Sequence, residues 1–398
     1  MINQVILAGH VVGLAESIQA KDKAICIENE KIIEIHDAKS YKPPTGVTIR
    51  DWSNYTVIPG LVDCHDHLGL DLGDEHAQAL EHDFRNVLRG VRNARHVLSA
   101  GITTLRSVGE KKHIEAHLRD AILAGWIPGP RMVICGQFIM RTGGHCWYLG
   151  VEADGPDALR RAVREQVKNG ADFIKLMVTG GSSTAGSIPT KSDYTDIEIQ
   201  TAIEEAHRLD RKVAAHIGGG PGARAAIEAG IDSIEHGVYL SEDDLALMAE
   251  KNTVLCVTYG PYAAASKLEN VPEFMKDNCA QAAEKYLDTL AKAHQLNVRV
   301  VFGGDTYHAD PKTEFKALIK AGFSPIEALR AGTLNGAALL GFEDCLGTIE
   351  PGKTADMVAL GGNPLDLPDA LEDVISVMKD GDVYTPESLR INHKPSVL

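Results

Sequence analysis

The stretch Ile58-Pro59-Gly60-Leu61-Val62-Asp63-Cys64-His65-Asp66-His67 decides how the rest of the chain is read. Its apolar, β-rich body ends on two histidines, and a long helix-like segment, 76–100, follows. Outward from there the same unit recurs. Short β-rich runs at 57–66, 102–108, 131–139, 173–178, 213–217, 233–238, 254–259 and 300–304 are separated by helical stretches such as 113–125, 157–169, 196–209 and 243–251. In 157–167 the apolar positions fall three and four apart, the helical period, and glycines repeatedly close the helices in the manner of a C-terminal cap. Eight strand-then-helix units with near-continuous apolar strands predict an α/β chain folded as a (β/α)8 barrel. The stretch between residues 216 and 233 has room only for a short helix, 224–229. A doubly wound open sheet is the competing architecture.

Residues 1–55 and 342–398 do not follow this unit. They carry short β-like runs at 4–8, 24–28, 31–35, 357–360 and 374–379, punctuated by turn pairs such as Asn363-Pro364 and Asp380-Gly381. The expectation is one small β-sandwich built from both termini beside a catalytic barrel at 56–341. With 398 residues and a net charge of −15, the chain lacks the basic surface of a dedicated nucleic-acid binder. No apolar run approaches the ~18 residues of a membrane span, and the first residues have no cationic leader pattern. The seven cysteines are scattered, without a Cys-x-x-Cys pair, which fits reduced thiols. A cytoplasmic homo-oligomer acting on small molecules is expected. Aromatic residues are only 5%, so the core must be mainly aliphatic.

Side chains alternate along a strand, so His65 and His67 share a face and could grip one metal. Taken alone, a His-x-His pair among 16 histidines is weak. Later strand ends strengthen it. The fourth run carries Lys175 within Phe173-Ile174-Lys175-Leu176-Met177, the fifth ends on His216, the sixth contains His236, and the eighth leads through Gly303-Gly304 to Asp305. A lysine inside so apolar a run needs a partner. In a barrel these positions converge on the C-terminal face, where active sites are built.

The ordered set His65-x-His67, Lys175, His216, His236, Asp305 closely resembles the metal-dependent amidohydrolase superfamily. The opening stretch, 58–67, and the closing Gly347-Thr348-Ile349-Glu350-Pro351-Gly352-Lys353-Thr354-Ala355-Asp356-Met357-Val358 are similar to its two sequence signatures. The loop Thr142-Gly143-Gly144-His145 and the run Glu235-His236-Gly237-Val238-Tyr239 resemble the branch of prolidase-type and arginine/lysine-type carboxypeptidases. The resemblance implies two zinc ions. His65, His67 and Asp305 would hold one, His216 and His236 the other, with a carboxylated Lys175 and a hydroxide bridging them. An ammonium cannot bind a cation, whereas a lysine carbamate presents two oxygens. Asp305 would carry the proton to the leaving amine. His145 and Tyr239 would contact substrate, one at its carboxylate and one at the developing oxyanion, while Cys146, Trp147 and Tyr148 shape the pocket.

Two further motifs are decoys. Residues 347–354 match the nucleotide-binding P-loop pattern, but a helical stretch precedes them, a β-like run follows, and Pro351 removes an amide donor. Residues 218–223 imitate a dinucleotide-binding fingerprint in mid-chain, again with a proline. The expected activity is cleavage of the amide bond of a dipeptide or N-acyl amino acid. Hydrolysis of another C–N bond, in a cyclic amide, urea or carbamate, is the alternative, and a P-loop protein is the disfavoured non-enzyme reading.

Overall fold

The computed structural model describes residues 2–13 and 19–390. Strand Thr48–Pro59 ends one residue before strand Leu61–Asp66 begins, and the two belong to different sheets. The run expected at 57–66 is therefore two strands. Both halves are buried, so no change of polarity marks the join. Gly60 makes it possible: a Cβ there would lie 2.3 Å from Thr103 Oγ1.

Strands Leu61–Asp66, Ile102–Ser107 and Arg131–Ile134 pair in parallel. So do Ile174–Met177, Val213–Gly219, Ser233–Tyr239, Val254–Val257 and Val300–Phe302. Two hydrogen bonds join these arcs into a ring. The Asp172 amide donates to the Ile134 carbonyl (2.7 Å), and the Asp305 amide donates to that of His65 (2.6 Å). The eight strands make the (β/α)8 barrel that the alternation predicts.

Some expected elements are split. The run 131–139 stops at Ile134, and the chain turns through Gly136 (φ 81°) before the two-residue strand Ile139–Met140. The segment 76–100 forms two helices, Glu75–Leu80 and Asp83–Ser99. Glu81 between them is extended (ψ 162°), and its carboxylate accepts from Arg89 of the second helix. The short helix after the fifth strand is Pro221–Glu228.

Both termini build one hydrogen-bonded sheet of seven strands. Its order is Asp382–Tyr384, Val374–Lys379, Met357–Leu360, Thr48–Pro59, Gln4–Val12, Gln19–Glu28, Lys31–Asp37. A separate apolar cluster that includes Ile6, Ile25, Ile27, Trp52 and Met357 packs on it. The P-loop look-alike belongs to this region. Its Ile349, Gly352 and Thr354 amides donate to the carbonyls of Gly13, Ile32 and Cys345, and Lys353 Nζ donates to the Glu343 carbonyl. The lysine and these amides, which a phosphate cradle would need, are therefore already engaged. Among the described residues no helix is long and apolar enough to cross a membrane.

Candidate metal centre

His65, His67, Lys175, His216, His236 and Asp305 stand together at the C-terminal mouth of the barrel. They line a pocket of about 620 Å³, part of it open to solvent. Neighbouring imidazole centroids are close: 5.5 Å for His65–His67, 4.8 Å for His65–His236 and 4.5 Å for His216–His236. Asp305 Oδ1 lies 3.9 Å from His65 Nε2 and 3.8 Å from His67 Nε2, and Oδ2 lies 4.0 Å from His236 Nδ1. Ligand atoms of His65, His236 and Asp305 all fall within 4.8 Å of one another. Close strand approach brings these ends together: a Cβ on Gly303 would stand 2.4 Å from His65 Cβ.

Each imidazole has one nitrogen already engaged. His65 Nδ1 donates to Glu235 (2.7 Å), His67 Nδ1 to the Gly109 carbonyl (2.7 Å), and His216 Nε2 to the Gly180 carbonyl (3.0 Å). A carboxylate or carbonyl only accepts, so the proton sits on that nitrogen and the other keeps its lone pair. His236 Nδ1 is 2.7 Å from Thr258 Oγ1. Burial holds all four rings neutral, with His67 pushed down to about 4 and the other three well below the usual range. Neutral imidazoles and a carboxylate are donors suited to divalent cations.

Lys175 is only 2% exposed. Burial lowers its pKa, with Arg106 also opposing its charge and Glu235 favouring it. Behind His65, Glu235 also accepts from Arg106 (2.8 Å) and Ser233 (2.6 Å), and these neighbours hold its carboxyl below the usual range despite burial. The backbone is strained where side chains must be aimed: His236 (φ 70°), Asp305 (φ 55°) and Cys146 (φ 55°) all adopt the left-handed region.

His145 also lines the pocket, 4.4 Å from His216, and its Nδ1 is 2.9 Å from Thr184 Oγ1. Cys146 is in the wall too, while Trp147 and Tyr148 border the adjoining outer hollow. Tyr239 is not in the lining. It ends its strand half-buried, paired in the sheet with Gly219. The tyrosine in the wall is Tyr262, from the short helix that follows the seventh strand. Sequence reasoning missed Tyr262, Glu75, Ser183 and Cys279, all on loops or helices where no strand period points inward. It also missed the Glu235–Arg106 pair, although a glutamate directly before a candidate ligand was a usable signal.

Residues 56–386 match the amidohydrolase family. The chain is 30% identical over 345 residues to ochratoxinase of Aspergillus niger, covering 78% of this chain and 71% of that protein. It superposes on a Xaa-Pro dipeptidase solved with methionine in its active site (TM-score 0.88, 31% identity, 96% of this chain and 99% of that one). A prolidase in complex with N-methylphosphonate-L-proline gives a TM-score of 0.90 at 26% identity, again covering 96% and 99%. Since the matched span takes in the whole barrel and every residue of the donor set, the chain belongs to the amidohydrolase family and is a hydrolase of C–N bonds.

Proposed function

We propose that the chain cleaves the amide bond of a dipeptide or N-acyl amino acid with a free carboxylate, at a centre of two zinc ions held by His65, His67, Lys175, His216, His236 and Asp305. The observation that carries this reading is the set of four histidines gathered around one pocket, three of them with an acceptor on one ring nitrogen. When bound, two divalent cations would polarise the scissile carbonyl and bring the pKa of water toward neutrality. The prolidase and dipeptidase likenesses support an amino-acid substrate.

The chain's own groups supply the rest. Burial lowers the Lys175 pKa and so favours the free amine; its Nζ would add to the carbon of CO2 and release one proton to solvent, giving an anionic carbamate with two ligand oxygens. Burial pushes the Asp305 carboxyl up to about 6, a range in which one group can take a proton from water and return it to a leaving amine. His145, lowered to about 4 by burial, stays neutral and faces the substrate carboxylate or the developing oxyanion. Tyr262 lines the pocket, and Tyr239 stands beside it at its strand end.

Metal content and amide hydrolysis of wild type and Lys175→Ala test this. The variant is expected to lose bound metal and to fall more than about 100-fold in kcat/KM. Retention of two tightly bound ions with full activity would overturn the two-metal reading. A panel of dipeptides and N-acyl amino acids then identifies the preferred side chains.

A further inference from the structure

Apart from Asp305, the pocket contains one carboxylate, Glu75, at the first position of helix Glu75–Leu80. Glu75 stands where two hollows meet. It lines the metal-side pocket and also an outer hollow of about 800 Å³, and Ser183 and Met275 are shared by both. Its Oε2 is 4.0 Å from Cys146 Sγ, and its side chain also bonds to Ser183. Among the described residues it makes no ion pair with a lysine or arginine. Lys175 is the only lysine in the metal-side pocket, and no arginine lines either hollow.

Aromatic rings frame the outer hollow. The His76 ring lies 4.8 Å from that of Tyr148 and 5.8 Å from that of Trp147, and Trp147 and Tyr148 meet edge to face at 5.8 Å. Trp147 and Phe274 are 47% and 39% exposed although they border a concave site. Ring faces attract cations, and a partly desolvated carboxylate beside them adds a charge partner.

We propose that Glu75, with the Trp147, Tyr148 and Phe274 rings, forms a cation subsite for a substrate ammonium or guanidinium. This rests on the amide-hydrolase reading of the adjoining centre. The cation is either the free α-ammonium of a dipeptide or the end of a basic side chain. Burial pushes the Glu75 carboxyl up to about 8, so a cation entering at neutral pH displaces its proton.

Three matched substrates separate these sources: propionyl-norleucine carries no cation, alanyl-norleucine carries the α-ammonium, and Nα-propionyl-lysine carries the side-chain ammonium. Wild type is expected to favour one cationic member over propionyl-norleucine by about tenfold or more in kcat/KM. Glu75→Gln should erase most of that preference while still cleaving propionyl-norleucine, and Trp147→Ala should reduce it. No cationic preference in wild type, or an unchanged one in Glu75→Gln, overturns the subsite. Calorimetric binding of the same three compounds to the metal-loaded protein reads it without turnover. If none is cleaved but a cationic member binds more tightly through Glu75, the amide reading fails and the subsite stands. Equal binding of all three removes the subsite.

Discussion

A neutral imidazole can offer a cation its lone pair only at the nitrogen that does not carry the proton, so the group beyond the ring decides which face is useful. For His65 that group is Glu235, itself fully buried and shared with Arg106 and Ser233. Glu235→Gln keeps the shape but removes the charge that fixes the His65 Nδ1 proton. Outer partners of this kind contribute about 10–100-fold to metal affinity. The variant is expected to lose that much in a chelator competition titration, with Ser233→Ala losing less; unchanged affinity would mean that His65 is held by packing alone. Glu235 also explains what was legible at this scale. His65 and His67 could be paired from the sequence because strand period 2 is local. Glu235 reaches His65 across 170 positions, and Tyr262 and Glu75 enter the pocket from loop-borne helices, so no local period marked them. Tyr239, in a run resembling a known motif, ends its strand half-buried behind the lining residues Tyr262 and Cys279.

At the scale of elements, the barrel strands were readable because both faces of each are buried, giving unbroken apolar runs. Their ends were less readable. The seventh run was expected to reach residue 259, yet the strand stops at Val257, and Tyr259 opens a helix whose first amides are bound by Glu314. Helix-to-helix contacts around the ring are equally non-local. Glu205 of helix Asp196–Arg208 accepts from Arg164 of helix Pro156–Lys168 (2.7 Å) and from its own Arg208 (2.5 Å). Those two guanidinium groups push its carboxyl down to about 2 from an ordinary 4.5. A depressed carboxyl stabilises the fold above its unfolded value, and that contribution disappears as pH falls from about 4.5 through about 2. Both arginines are more than half exposed, 57% and 59%, so the pair contributes at most about 1 kcal/mol. Urea unfolding should give a stability gap between wild type and Glu205→Gln that is flat from pH 8 to about 5 and narrows in more acid solution. A gap that widens on acidification would contradict this assignment.

The whole molecule is a barrel joined to a sheet made from both chain ends, and the join is electrostatic as well as covalent. Most of strand Thr48–Pro59 was missed because its first half, Thr-Ile-Arg-Asp-Trp-Ser-Asn, is mainly exposed apart from Trp52 and reads as a polar loop. Its place becomes clear only once Gln4–Val12 and Met357–Leu360 flank it. Arg131, the first residue of the third barrel strand, then reaches across the boundary to the sheet region. Its guanidinium donates to Asp356 (2.9 Å), Asp380 and Thr104 (2.8 Å), and the Asp380 amide donates to the other oxygen of Asp356. Asp356 is 5% exposed, so removing Arg131 strands a buried carboxylate. Truncating a fully buried pair costs about 3–5 kcal/mol and an exposed one under about 1 kcal/mol. Arg131 is 22% exposed, so Arg131→Met is expected to fall between, at about 2–3 kcal/mol. Arg131 starts its strand, at the end of the barrel opposite the metal centre, where side chains serve stability rather than chemistry. The variant should therefore unfold at lower urea concentration and lower Tm, yet retain wild-type metal content and kcat/KM at 25 °C. Loss of activity in the folded variant would mean that the terminal sheet controls the geometry of the mouth, whereas an unchanged Tm would mean that chain continuity through Gly60 and the packing around it hold the two parts together without this clamp.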